Sequence, residues 1–408
     1  MAVDKPELVN PNGLPMPAKD VQIVKDGGVP TVADIDPARL TVKLSTSLKE
    51  IPPTDDLVFG DMMTDHMLLM TFSPSTGWSA PEIKPYGPLS IEPSASCFQY
   101  CPNVFEGMKA YLGPDGQPRL FRPHMNMARM KRSAARVALP AFDTDALLVL
   151  IKKLIAVDAR WIPRAKGCSL YVRPTIIGTR PGFGVTASCA NAILYVLLSP
   201  TGPFFKVPAG ISLLAVGEHV RAWPGGTGGY KLALNYAPGF EPQRAALEKG
   251  YQQILWLLGE KVLEAGAMNV FVVYKRDDGD VDVVTPSLDG TILPGITRDS
   301  ALTLLAAHPE ATSLPHLSNR MRLHTHERDI TMPELFAASE SGRLLEVFSV
   351  GTAAVVTAVS RIGWKDREIK LPAYGGSEIG PVAKALWERL VDIQEGRVEW
   401  QGWSVRCE

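Results

Sequence analysis

The most reactive-looking setting in the chain surrounds Lys231, in the stretch RAWPGGTGGYKLALNYAP. Four glycines (Gly225, Gly226, Gly228, Gly229) precede it, and Leu232, Ala233 and Leu234 follow. Glycines let a backbone come close to a ligand. The apolar run is expected to strip water from the ammonium and lower its pKa toward that of an amine able to form a Schiff base. The plainer alternative is a surface lysine beside a flexible loop. A nucleotide-phosphate loop is excluded, because the position that must hold magnesium through Ser or Thr is Leu232.

Further candidates lie downstream. Glu264, in VLEAGAMNVFVVY, stands at the edge of an apolar strand-like run. A buried carboxylate needs a partner: a protonated ring nitrogen would serve, and so would an ordinary ion pair or cap. In LDGTILPGITRDSALTLLAAH a loop feeds a helix whose first turn holds Gly295, Ile296 and Thr297. Its free N–H groups and the Thr hydroxyl could hold an anion, or the helix could simply be capped. The small-residue turn in SVGTAAVV offers Gly351 and Thr352 to the same anion.

These residues must be positioned by two kinds of element. MLLMTF, then KAYLG and RLFRP about the turn PDGQ, read as strands of a meander with a hairpin. HMNMARMKRSAARV and DTDALLVLIKKLIAVDARWI read as helices, the latter with Asp143 or Thr144 as N-cap. The apolar strand AILYVLLSP runs into SPTGPFFKVPAG, whose prolines and glycines continue neither helix nor ladder, so a linker is expected at 200–210. Beyond it come the strand ISLLAVG, the helix EPQRAALEKG, the strand QQILWLLG, and two strands about a DDG turn in VFVVYKRDDGDVDVVTP. The pattern predicts an α+β protein: an N-terminal arm at 1–45 lying on the surface or against a partner, a smaller α/β domain at 46–199, and a larger mixed-sheet domain at 211–408.

At 408 residues, with 46% apolar and 21% charged residues, the composition is that of a globular protein. No run approaches the roughly 18 apolar residues of a membrane span. A net charge of -1 with interspersed signs offers no field for nucleic acid. The odd count of five cysteines fits a reducing compartment, and no metal site is expected. The N-terminal stretch has neither a secretory core nor transit-peptide character, so the expected address is cytoplasmic, with a mitochondrial form lacking its presequence as the alternative.

From Asp65 to Gly396 the chain resembles the branched-chain amino-acid aminotransferases, of fold type IV among pyridoxal-phosphate enzymes, and looks closest to their eukaryotic, fungal-like members. The likeness rests on FEGMKAY, RPHMNMARM, SLYVRPTIIGT, VRAWPGGTGGYKLALNYAP, EAGAMN, LDGTILPGITR and EVFSVGTAAVV, in that order. It implies two-domain fold type IV architecture with a barrel-like second domain, pyridoxal 5'-phosphate bound covalently to Lys231, and a homodimer with shared sites. It implies transamination of leucine, isoleucine and valine with 2-oxoglutarate. Tyr236 would bond the cofactor's phenolic oxygen and Glu264 its ring nitrogen. Arg129, Ile296, Thr297 and Thr352 would hold the phosphate, and Arg221 would line the cofactor side. Phe105, Tyr171, Arg173, Thr352 and Ala353 would meet substrate, with Tyr100 and the loop Phe183 to Val185 reaching over from the partner.

The rival readings are another fold type IV activity (a D-amino-acid or (R)-amine transaminase, or an aminodeoxychorismate lyase) and a silent protein that keeps only the fold. The chain departs from the family at Leu232-Ala233-Leu234 and at Ala267, where Thr is usual. The Cys-x-x-Cys pair of some animal members falls here on Ala354 and Thr357. Cys97 and Cys101, in CFQYC, are expected on an extended strand leading into FEGMKAY, with their thiols free.

Overall fold

The computed structural model describes residues 32–185, 190–202, 210–377 and 379–407. The first half contributes β1 (Thr41–Val42), β2 (His66–Ser73), β3 (Gly77–Trp78), β4 (Glu82–Pro85), β5 (Asn103–Phe105), β6 (Met108–Leu112), β7 (Pro118–Phe121), β8 (Ser169–Gly178) and β9 (Ala192–Thr201). They lie in the order β1-β4-β2-β9-β8-β6-β7, with β3 added to β2 and β5 added to β8. In β8, Arg173 alone is not buried, because both faces of this strand are covered, and its sequence accordingly shows no polar alternation. β6 and β7 form the expected hairpin about PDGQ.

Three helices accompany this sheet: α1 (Ser96–Tyr100), α2 (Pro123–Arg136) and α3 (Thr144–Val157). Pro123 opens α2 where its missing N–H costs nothing. Asp143 caps α3 by accepting from the N–H groups of Asp145 and Ala146. Their apolar faces bury Met127, Met130, Leu147, Ile151 and Leu154 against Leu68, Leu170 and Val196 of the sheet.

One expectation needs correction here. The segment CFQYC is not extended: it forms α1 and ends with Cys101 in the left-handed region at φ 53°. The strand begins only at Asn103, so the motif FEGMKAY does not reach back through the cysteines. The described end of the arm lies against the first sheet. Ile35 is buried in the core, Ala33 bridges Gly77, and β1 pairs in parallel with β4. Residues 1–31 lie outside the described residues, as do 203–209 of the expected linker, whose first residues Pro200 and Thr201 still belong to β9.

The second half contributes β10 (Ile211–Val216), β11 (Gln253–Leu258), β12 (Lys261–Ala265), β13 (Met268–Lys275), β14 (Val281–Thr285), β15 (Leu323–Glu327), β16 (Leu344–Gly351), β17 (Val355–Trp364) and β18 (Arg367–Lys370). Strands β10, β11, β12, β13, β16 and β17 close on themselves, because β12 pairs with both β11 and β13 while β10 pairs with β17. Around this barrel pack α4 (Phe240–Glu248), α5 (Ile296–Ala306), α6 (Met332–Glu340) and α7 (Pro381–Gln394). Along β13, Val270 and Val272 join a cluster drawn from all six barrel strands. Phe271 and Val273 instead pack with Leu304 of α5 and Leu386 of α7. A strand covered on both sides reads as the unbroken apolar run MNVFVVY. The chain ends by returning: β19 (Ser404–Arg406) pairs antiparallel with β7 of the first sheet.

Candidate active site

The site lies where the two halves meet. Lys231 is strapped to the first half: its N–H donates to Ser133 Oγ of α2 at 2.9 Å, its carbonyl accepts from Phe105 N–H at 3.3 Å, and Leu232 bridges Val104 of β5. Its Nζ donates to the Tyr236 hydroxyl at 3.3 Å and lies 5.1 Å from the Phe105 ring centroid. The apolar run after the lysine does not do what was expected of it. Leu232 is buried in the core of the first half, with Leu234 packed against it, and the rings of Phe105 and Tyr236 are what lie over the amine.

The glycines also serve differently from expectation. A Cβ on Gly228 would overlap Ala222 and the Thr291 carbonyl, and Gly229 N–H donates to the Gly290 carbonyl at 2.9 Å. What approaches closely at these two positions is the chain's own loop before α5, which is thereby fixed next to Lys231.

Aromatic rings enclose one side. Phe105 and Tyr236 have centroids 5.0 Å apart, and Phe59 meets Tyr171 edge-on at 4.7 Å. The Arg173 guanidinium stacks 4.6 Å from the Phe105 centroid and donates to the Tyr171 hydroxyl at 3.0 Å. A Cβ on Gly107 would overlap that hydroxyl.

Two buried Arg–Glu pairs sit deeper. Arg129 reaches Glu106 through Nε at 2.7 Å and Nη2 at 2.8 Å, and its Nη1 donates to the Pro294 carbonyl at 3.0 Å. Asn126 adds a bond to Glu106 at 2.8 Å. Burial opposes ionisation of Glu106, yet the facing guanidinium outweighs it and holds the carboxyl below the usual range. Three of the five guanidinium N–H groups are thus engaged, leaving two for an anion.

The second pair is incomplete. Arg221 Nη1 lies 2.6 Å from Glu264 Oε2, but neither atom has a partner in hydrogen-bonding geometry. Glu264 Oε1 accepts from Asn269 Nδ2 at 3.1 Å, and burial, only partly offset by Arg221, raises the carboxyl above its usual range. Helix α5 begins at Ile296 behind Gly295 with no side chain capping it, so the N–H groups of Ile296 and Thr297 remain orphans. Thr297 and Thr352 line one small cavity together with Ile296, Asn126 and Lys109.

The structure therefore gathers Lys231, Tyr236, Phe105, Tyr171 and Arg173 in one cluster, pairs Glu264 with Arg221, and sets Ile296, Thr297 and Thr352 about one cavity. Ala353, beside Thr352, accepts from Lys109 Nζ at 2.6 Å. Tyr100, Phe183 and Val185 are brought together elsewhere. They are 42%, 75% and 81% exposed, and the Tyr100 hydroxyl accepts from Gly184 N–H at 3.1 Å. Ala267, one departure from the family pattern, sits exposed at the turn between β12 and β13.

Sequence reasoning placed Glu106 in the site without a role and did not single out Asn126, Lys109, Asn269 or Phe59. One signal was present: Asn126, Arg129 and Ser133 recur at i, i+3 and i+7, a polar stripe on an otherwise apolar-facing helix.

A family model described as amino-transferase class IV matches residues 103–362. The chain is 43% identical over 383 residues, 92% of its own length and 94% of the relative, to the mitochondrial branched-chain-amino-acid aminotransferase of Saccharomyces cerevisiae. It is equally 43% identical over 371 residues, 90% and 92% of the two lengths, to the cytosolic enzyme of Mus musculus. Among solved structures, the branched-chain aminotransferase of Thermoproteus uzoniensis with norvaline has a TM-score of 0.64 at 22% identity, covering 84% of this chain and 100% of that one. The branched-chain amino acid aminotransferase of Thermobaculum terrenum in its PLP-form also gives 0.64, at 19% identity over 84% and 98%. These structures share the fold, and with it the expected α+β, fold type IV architecture is borne out.

Proposed function

The chain belongs to the class IV aminotransferases, and from that premise we propose that it transfers the amino group of L-leucine, L-isoleucine and L-valine to 2-oxoglutarate, yielding branched-chain 2-oxo acids and L-glutamate. The observation that carries the substrate class is the wall beside Lys231: Phe105, Tyr171, Tyr236 and Phe59 supply aromatic surface for an aliphatic side chain. The Arg173 guanidinium, stacked on that wall, offers a fork for the second carboxylate of 2-oxoglutarate and glutamate.

Pyridoxal 5'-phosphate is the cofactor, and the residues present fit it. The unsatisfied Glu264 Oε2, buried beside Arg221, is suited to a protonated ring nitrogen. The uncapped start of α5, the Thr352 hydroxyl and the two unengaged N–H groups of Arg129 suit the phosphate, and the Tyr236 hydroxyl suits the phenolic oxygen. When bound, the cofactor supplies an electron sink for the pair left by the substrate's α-hydrogen. Lys231 Nζ would hold it covalently at rest and, as a free amine, would take the proton from the substrate's α-carbon and deliver it to the cofactor's C4′ carbon, the shift that transamination requires. Tyr236 steadies that amine through the bond at 3.3 Å, and the rings of Phe105 and Tyr236 lie over it.

The loop Phe183 to Val185, Tyr100 and the exposed Phe98 support a homodimer in which these residues cover the site of a second copy. Light scattering of the purified protein tests this. The relatives divide between mitochondrial and cytosolic forms, and cell fractionation decides between the two addresses.

The test of function is the absorbance spectrum before and after L-leucine, followed by a survey of donors. L-leucine is expected to bleach the cofactor band, and Lys231→Ala is expected to bind cofactor only non-covalently and lose turnover by roughly 10⁴-fold or more. Leucine, isoleucine and valine should fall within about 1–3 kcal/mol of one another in kcat/KM. A D-amino acid or an (R)-amine outpacing leucine would overturn the assignment in favour of another fold type IV activity.

A further inference from the structure

Strand β6 carries a lysine in an unusual place. Lys109 is 7% exposed and forms no ion pair with any carboxylate among the described residues. Its Nζ makes one hydrogen bond, to the carbonyl of Ala353 at 2.6 Å, across 244 residues of sequence. Lys109 belongs to the first sheet and Ala353 to the turn joining β16 and β17 of the barrel, so this bond ties the two halves together at the turn that carries Thr352. Lysine at a fully buried position is rare without a function or a partner that retains it.

The turn itself is strained. Val355, which ends it, has φ 61°, a conformation that a β-branched residue adopts only when its surroundings impose it. Residues 352–354 have small side chains and cannot enforce such a backbone alone.

We infer that Lys109 is a positioning residue, which fixes the Thr352–Ala354 turn by anchoring the Ala353 carbonyl and so aims the turn's hydroxyl and N–H groups at the acidic groups of the cofactor and substrate. A trans peptide is planar, so holding the carbonyl of Ala353 also sets the direction of the following N–H, that of Ala354. The turn borders the cavity that Ile296, Thr297, Thr352 and Lys109 line together. The direction toward ligands rests on the aminotransferase reading above; the anchoring of the turn does not.

Burial lowers the Lys109 ammonium to about 8, and the Cys168 thiol is the one group offsetting this. Tyr111, on the same strand, donates its hydroxyl to Gln394 at 3.0 Å, and burial raises it. As pH climbs through about 8, Lys109 therefore loses its charge and its bond to Ala353 weakens to that of a neutral amine.

The experiment combines kinetics of Lys109→Met with hydrogen exchange of the peptide spanning residues 350–358. In the variant, KM for leucine and for 2-oxoglutarate should rise roughly tenfold while kcat changes less than about threefold, and the turn should exchange faster with the rest of the barrel unchanged. In the parent, exchange of this peptide relative to its neighbours should accelerate between pH 7 and 9, a measurement that survives if the variant fails to fold. Unchanged KM and turn exchange in a folded variant would overturn the inference, as would a flat relative exchange in the parent. If the parent shows no transamination, the functional reading fails, while the exchange data still decide the anchoring.

Discussion

The molecule holds two buried Arg–Glu pairs with opposite chemistry. Arg129 grips Glu106 with two parallel bonds, Asn126 fills a third position, and the carboxyl is held below its usual range. Arg221 Nη1 lies 2.6 Å from Glu264 Oε2, both atoms remain without hydrogen-bond partners, and the carboxyl is pushed above its usual range. A satisfied buried pair keeps its surroundings in one arrangement. An unsatisfied one has a cost that a ligand can remove, and we therefore propose that the second pair meets the cofactor while the first holds its surroundings in place.

The strongest way to break this comparison is Glu106→Gln. It leaves the Arg129 charge buried without its carboxylate, a loss of about 3–5 kcal/mol. Folding lowers the Glu106 pKa, so the folded chain binds fewer protons than the unfolded one just below the ordinary value of 4.5. The pair's stabilisation is therefore full above that value and disappears as pH falls through the lower, folded value. Thermal unfolding from pH 7 down to pH 3 should show this acid-sensitive segment in the parent and lack it in the variant. Equal stability of the two at pH 7 would mean that the pair contributes no net support.

Glu264→Gln should act on turnover instead. The amide can still accept from Asn269 but carries no charge for a ring nitrogen, so kcat should fall by about 10²-fold, the loss typical when one preorganised electrostatic partner is removed. Melting of the apoprotein should fall less than in Glu106→Gln: Arg221 loses its buried counter-charge, but the carboxylate removed is one that burial already disfavours. A large drop in apoprotein stability with normal turnover would reverse the roles assigned to the two pairs.

The contrast also explains what could be read in the sequence. Periodicity and turn chemistry revealed the hairpin β6–β7, helices α2, α3 and α5, and the strands β9 to β11, since each is decided by neighbours in sequence. The closure of the barrel through β12–β13 and β10–β17 left no local trace, nor did the return of β19 to β7. The site divides the same way. Lys231 and the start of α5 were visible because their flanks are unusual. Glu106 and Lys109 look like ordinary charges in FEGMKAY; only Arg129, 23 residues away, and Ala353, 244 away, make them buried and specific. In CFQYC the short spacing to a strand misled: a single turn of helix fits between Ala95 and Pro102, and Cys101 ends it in a left-handed conformation.

The smallest expected effect separates the two arginines. Lysine keeps the charge of arginine but offers a point donor instead of a planar fork. At position 129 the fork is in use: Nε and Nη2 meet both oxygens of Glu106, and Nη1 holds the Pro294 carbonyl just ahead of α5. Arg129→Lys should therefore loosen the loop before α5 and weaken cofactor binding, read as a raised dissociation constant of the apoprotein for pyridoxal 5'-phosphate. At position 221, Nη1 lies 2.6 Å from Glu264 Oε2 in a geometry that makes no hydrogen bond, so a lysine ammonium can supply the same field. Arg221→Lys should keep kcat/KM for leucine within about tenfold of the parent, with cofactor affinity nearly unchanged. If Arg221→Lys proved the more damaging of the two, the guanidinium plane of Arg221 would have to be contacting the cofactor or substrate directly, and its pairing with Glu264 would be secondary to that contact.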